Sequence, residues 1–149
     1  MKFEELSSKP DFSEIQPSII EFWKENKTFE KSVDLRKEWE IVFYDGPPFP
    51  TGKPHHGTVL VSFIKDMISR YWTMRGYSVP RAWGWDCHGL PIENLIEIEL
   101  GINSKHEIEA MGIDKFNEAC RASVLRYTKE WRQTITRMGR WVDFDNDYM

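Results

Sequence analysis

Apolar residues recur at helical spacing in Phe12, Ile15, Ile19, Phe22 and Trp23, which predicts an amphipathic helix capped by Ser13, with Pro17 close enough to the start to be accommodated. A charged connector, Asp34 to Glu38, separates it from the run Trp39-Glu40-Ile41-Val42-Phe43-Tyr44. That run is β-branched and aromatic and stops at Asp45-Gly46-Pro47-Pro48, so a buried strand is expected. After a loop, Leu60, Phe63, Ile64, Met67, Ile68 and Tyr71 form an apolar stripe that ends at Gly76, where a left-handed cap would close a helix. A second extended run, Tyr77 to Trp85, stops at Asp86-Cys87-His88-Gly89-Leu90, and Pro91 is placed to open a helix ending at Gly101. Ser104-Lys105-His106-Glu107 has the form of a capping box for a short helix ending near Gly112. Phe116, Cys120, Val124, Tyr127, Trp131, Ile135 and Met138 then predict one long helix closed by Gly139.

The order strand, helix, strand, helix places the chain in the α/β class. A crossover helix makes consecutive strands parallel, so the loops after Tyr44 and after Trp85 are expected to open on one crevice and share a ligand.

Composition narrows the reading modestly. A chain of 149 residues that is 40% hydrophobic can bury one core, and seven Trp with a 14% aromatic share mark it as globular rather than disordered. The formal charge of -4 supplies no global attraction for nucleic acid. Arg126, Lys129, Arg132, Arg137 and Arg140 could form an RNA-facing stripe, but their spacing fits a solvated helix face better. Cys87 and Cys120 lack a pairing pattern, and Met1-Lys2-Phe3-Glu4-Glu5 lacks the apolar run of a signal peptide, so a reducing cytoplasm is the expected compartment. No stretch approaches the roughly 20 apolar residues that span a bilayer, and no membrane partner is expected.

Two loops carry candidate chemistry. The first, Gly46 to Thr58, runs into a helix N-terminus, where free backbone amides and the helix dipole attract anions such as phosphate. His55 can donate to phosphate oxygens, and Gly57 has no side chain to obstruct a flat base. Taken alone, the His55-His56 tract reads as a turn with exposed histidines. In the second loop Asp86 ends a strand in the crevice, where a carboxylate would hold an ammonium group; the alternative is an N-terminal cap for the helix near Pro91. Adjacent Cys87 and His88, with no second pair nearby, do not form the ligand set of a zinc site.

At the level of motifs, Tyr44-Asp45-Gly46-Pro47-Pro48-Phe49-Pro50-Thr51-Gly52-Lys53-Pro54-His55-His56-Gly57 resembles the isoleucyl form of the His-x-Gly-His signature of the class I aminoacyl-tRNA synthetases. Gly84-Trp85-Asp86-Cys87-His88-Gly89-Leu90-Pro91-Ile92-Glu93 resembles a second hallmark of the same branch. Similarity continues through Gly112 to Asn117 and Arg137 to Phe144, so it covers the chain from about Phe12 onward.

The resemblance implies the first half of a Rossmann-like fold, with a helical leader over 1–38, the nucleotide-binding part over 39–101 and a helical continuation over 102–149. It further implies that Gly46 and Asp86 hold the ammonium group of isoleucine, that Pro47 lines its side-chain pocket, and that His55, Gly57 and Thr58 meet ATP, which brings Mg²⁺. The implied reaction joins isoleucine to ATP as isoleucyl-adenylate and passes it to tRNA(Ile), with most tRNA contacts, the editing insertion and the second half of the fold lying beyond Met149. Thr58 stands where the family's signature ends in histidine, which predicts a weakened site. The rival expectation is a catalytically silent fragment or interaction module of the same family.

Overall fold

The computed structural model describes residues 8–35 and 38–149; Met1 to Glu5 and the Arg36-Lys37 part of the charged connector fall outside the described residues. Helix α1 spans Phe12–Glu25 and α2 spans Thr28–Asp34. The N-cap of α1 is Asp11, whose carboxylate accepts from the Ser13 amide at 2.8 Å, so Ser13 is inside the helix rather than at its cap. Helix α3, His56–Met74, leads to the three-residue strand β1, Ala82–Gly84. Four helices follow, α4 (Leu90–Leu100), α5 (Lys105–Met111), α6 (Ile113–Val124) and α7 (Thr128–Arg137), then strand β2, Asp143–Tyr148.

The expected buried strand Trp39–Tyr44 is reduced to one parallel bridge. Ser78 N donates to Trp39 O at 2.7 Å and Ile41 N donates to Ser78 O at 2.9 Å. The next rung would need an N–H from residue 80, which is Pro80, so the ladder stops there. Beyond it the chain stays irregular to His55, and Tyr44 is 91% exposed rather than buried. The second run pairs on its other edge instead: β1 and β2 are parallel, with Ala82 opposite Asp143 and Gly84 opposite Tyr148. Strand β2 was not expected from the pattern Asp143-Phe144-Asp145-Asn146-Asp147-Tyr148, which is too acidic to read as a strand. It is held by Asp143 N donating to Arg81 O at 2.8 Å and Trp85 N donating to Tyr148 O at 2.9 Å. The Tyr148 ring lies against Gly84, where any Cβ would collide with it.

Trp83 in β1 and Trp85 just beyond it, two residues apart on the extended chain, pack on Trp131 and Ile135 of α7. Their rings meet edge-on or tilted, with centroids 5.3 Å apart for Trp83–Trp85 and 6.0 Å for Trp83–Trp131, the geometry that the aromatic quadrupole favours. A second apolar contact joins α4 to α6 through Ile92, Ile96, Phe116 and Val124.

The single long helix predicted over Phe116–Met138 is two, interrupted at Leu125 to Tyr127. The break turns α7, carrying Trp131 and Ile135, onto the strands, while α6 lies on α4. The capping box at Ser104 is not formed: the Ser104 side chain makes no cap bond among the described residues, and Glu107 accepts from the Asn103 amide, one residue ahead of the cap, at 2.9 Å. Helix α3 is the larger surprise. Its apolar stripe of Leu60, Phe63, Ile64, Met67, Ile68 and Tyr71 is exposed, while Ser62 and Ser69 are buried against the rest of the chain. The small polar side lets α3 approach closely and bring Lys65, Asp66 and Arg70 inward. Among the described residues no helix is long and apolar enough to cross a membrane.

Candidate active site

The loop between Tyr44 and α3 lacks backbone ladder partners, so side chains hold it. The Asp45 carboxylate, 5% exposed, accepts from Lys65 of α3 and from Arg140, whose side chain is 3% exposed. Arg140 also reaches the Ser62 hydroxyl at 3.2 Å and lies over the Trp83 ring, 5.2 Å from its centroid. Arg140 is therefore buried, not part of a solvated helix face. Lys65 Nζ further donates to the Gly46 carbonyl at 2.8 Å, and the Tyr148 hydroxyl donates to the Asp45 carbonyl at 3.0 Å. Farther along the loop, Trp131 Nε1 donates to Gly52 O at 2.7 Å, so α7 of the core fastens the stretch ahead of the histidines.

His55 is the N-cap of α3. Its Nδ1 accepts from the Gly57 amide at 3.1 Å and the Thr58 amide at 3.4 Å. Two of the amides expected to be free for an anion are thus taken by this ring, and Thr58 is not the cap. With Nδ1 accepting, the proton of a neutral His55 sits on Nε2, which is the atom left to donate outward. Gly57 makes this possible: a Cβ there would stand 3.0 Å from His55 Cε1 and 3.2 Å from Nδ1. The missing side chain thus serves the histidine ring. Thr58 lines the same hollow, and its hydroxyl has no partner among the described residues.

Gly46, His55, Gly57 and Thr58 converge on one cavity of about 250 Å³, walled also by Pro48, Val61, Lys65, Trp83, Trp131 and Arg140. Pro47 is exposed and Asp86 half-buried, and neither lines this cavity. Asp86 nevertheless adjoins it, because its amide donates to the Pro48 carbonyl at 2.9 Å and ties the second loop to the first. Its carboxylate accepts no hydrogen bond from the described residues, and the cap position of α4 belongs to Gly89. Two cations, Lys65 and Arg140, share one carboxylate, which leaves the cavity wall with a surplus positive charge. The Trp83 indole N–H is buried without a partner among the described residues.

Four of the cavity residues, Lys65, Trp83, Trp131 and Arg140, had no signal in the loop motifs. Lys65 was detectable only as one of three charges, with Asp66 and Arg70, among the apolar residues of α3, and the others sit where only the tertiary arrangement makes them neighbours. Cys87 and Cys120 are poor nucleophile candidates: burial first, then Asp86 and Asp147 for Cys87 and chiefly Glu93 for Cys120, pushes each thiol above its usual range and keeps it protonated. Among the described residues no group of three His, Cys, Asp or Glu side chains is placed to hold a metal ion.

The family model for tRNA synthetases class I (I, L, M and V) matches residues 18–149. The chain is 59% identical over 147 residues to an isoleucine–tRNA ligase of Treponema denticola, covering 98% of this chain and 13% of that protein. It is 58% identical over 144 residues to the isoleucine–tRNA ligase of Treponema pallidum strain Nichols, covering 96% and 13%, and 52% identical over 147 residues to that of Anaplasma marginale, covering 98% and 13%. The chain therefore spans about an eighth of the curated relatives it matches. The leucyl enzyme LeuRS from Agrobacterium radiobacter K84, solved in a ternary complex with tRNA and LeuAMS, superposes with a TM-score of 0.60 at 21% identity, covering 94% of this chain and 16% of that one, which shows a shared fold. By the family model and the identity to these relatives, this chain belongs to the class I tRNA synthetases (I, L, M and V), as a segment of the isoleucyl type.

Proposed function

We propose that this chain forms the part of an isoleucine–tRNA ligase that receives isoleucine and ATP, and that it is the first half of a Rossmann-like nucleotide-binding fold, with leader, nucleotide-binding part and helical continuation dividing near residues 38 and 101. The observation that carries the reading is the convergence of Gly46, His55, Gly57 and Thr58 on one cavity, with Asp86 bonded to its rim through Pro48. In this reading the free Asp86 carboxylate accepts the ammonium group of isoleucine, and exposed Pro47 meets its side chain. Lys65 already occupies one direction of the Gly46 carbonyl, so Gly46 serves the ammonium group through its remaining lone pair. His55 Nε2 and the Thr58 hydroxyl face ATP.

The isoleucine carboxylate attacks the α-phosphorus, the bond to the bridging oxygen breaks, and pyrophosphate leaves with the electron pair. The nucleophile is ionised at neutral pH, so no general base is required. The protein supplies orientation, an outward donor in His55 Nε2 and fixed positive potential from Arg140 where phosphate charge redistributes. Mg²⁺ enters with ATP as part of the substrate. Transfer to tRNA(Ile), in a cytoplasmic setting, would involve the remaining length of such a ligase.

The test is a chimera in which this chain replaces the matching segment of the Treponema denticola relative. Isoleucine-dependent exchange between pyrophosphate and ATP is expected, with other amino acids giving little. Thr58→Ala should lower the rate about tenfold or more, since one donor at a developing charge is worth roughly that much or above. A properly folded chimera that neither exchanges nor binds a non-hydrolysable isoleucyl-adenylate analogue would replace this reading with a silent module.

A further inference from the structure

Two consecutive carbonyls of the irregular loop, those of Asp45 and Gly46, are each held by a side chain from a different element, Tyr148 of β2 and Lys65 of α3. Asp45 does not need Lys65 for charge balance, because buried Arg140 already meets its other carboxylate oxygen and is itself braced by Ser62. What Lys65 alone contributes is a bridge from that fixed carboxylate to the Gly46 carbonyl. We infer that Lys65 is a positioning residue that sets the Gly46–Pro47 peptide at the cavity mouth and thereby governs binding of the amino acid rather than of ATP. The inference rests on the function proposed above.

The chemistry selects this residue. The ATP side of the cavity is organised independently, by the His55 ring on the amides of α3 and by Trp131 on Gly52, and neither contact passes through Lys65. On the other side, Gly46 precedes two prolines that lack N–H groups, so no backbone donor is available at those positions to fix the peptide. A single ammonium that donates to both a carboxylate and a carbonyl replaces the missing ladder. A displacement of the peptide by about 1 Å is enough to lose much of the binding geometry.

In the chimera, Lys65→Met should raise the KM for isoleucine in pyrophosphate exchange tenfold or more, while the KM for ATP stays within threefold. Lys65→Arg, whose guanidinium can also donate to both acceptors, should bring the isoleucine KM back to within threefold. Independently of activity, chymotryptic cleavage at Phe43 and Tyr44 should speed up in the Met variant as the loop loosens, with cleavage elsewhere unchanged. Equal changes in both KM values, or none, would overturn the inference, as would unchanged cleavage at Phe43 and Tyr44. If the unsubstituted chimera shows no isoleucine-dependent exchange, the functional reading fails, and the proteolysis measurement alone decides whether Lys65 holds the loop.

Discussion

Asp45→Ala removes the carboxylate that Lys65 and Arg140 share. The Asp45 and Arg140 side chains are 5% and 3% exposed, and Lys65 is 22% exposed, so water screens the buried pair weakly. With an effective dielectric of about 20 and a contact of about 3 Å, each opposite pair is worth roughly 5 kcal/mol. Desolvation offsets much of that gain, but deleting one partner leaves the other charged in a poor solvent, at a cost of about 3–5 kcal/mol. Here the survivors are two cations that repel across the vacated space, with Lys65 able to turn toward solvent and relieve part of the strain. A loss of about 3 kcal/mol is therefore expected, a large share of the ~5–15 kcal/mol that holds a domain folded. Urea unfolding should show the midpoint falling by roughly 1–3 M with an unchanged slope. The double variant Asp45→Leu, Arg140→Met replaces a buried pair by apolar groups and should recover at least half of the loss. A cost below about 1 kcal/mol for Asp45→Ala would refute the reasoning, since it would put this pair in the range of exposed surface bridges.

Arg81 should behave in the opposite way. It is 3% exposed, burial pulls its guanidinium down to about 10, still a cation at neutral pH, and its Nε and Nη1 have no acceptor among the described residues. Arg81→Met keeps the stem packed near Phe29 and Trp141 and removes a half-satisfied charge, so stability should hold or rise by about 1 kcal/mol; a loss above about 2 kcal/mol in the same unfolding assay would contradict this. Gly57→Ala should displace the His55 ring. The lost cap and the gained helix propensity, each about 1 kcal/mol, offset in stability, while the KM for ATP in the chimera should rise about tenfold on loss of the aligned Nε2 donor. An unchanged KM for ATP would show that the ring position is irrelevant.

Much of the candidate site was legible because it is local. The loop from Gly46 to Thr58 and the strand end at Asp86 announce themselves by glycine, proline and histidine at short spacing, and the helix beginning at His56 follows from the apolar run behind it. Gly57 has a further use that the loop alone does not reveal, since a Cβ there would crowd the neighbouring His55 ring. Lys65 and Arg140 were out of reach, because they are 20 and 95 residues from the carboxylate they share.

The bounds of α3 and α4 and the family likeness were determined by sequence alone, since each rests on residues a few positions apart. Which faces are buried was not. Periodicity reports that α3 has an apolar side, but whether that side meets the strands depends on what else packs there, and here Ser62 and Ser69 face inward instead. Strand pairing is likewise a property of partners: Pro80 ends one ladder while acidic Asp143–Tyr148 forms another. Tertiary structure made those choices because burial and β-pairing are summed over distant residues, whereas turns and helix ends are settled within a single turn of chain.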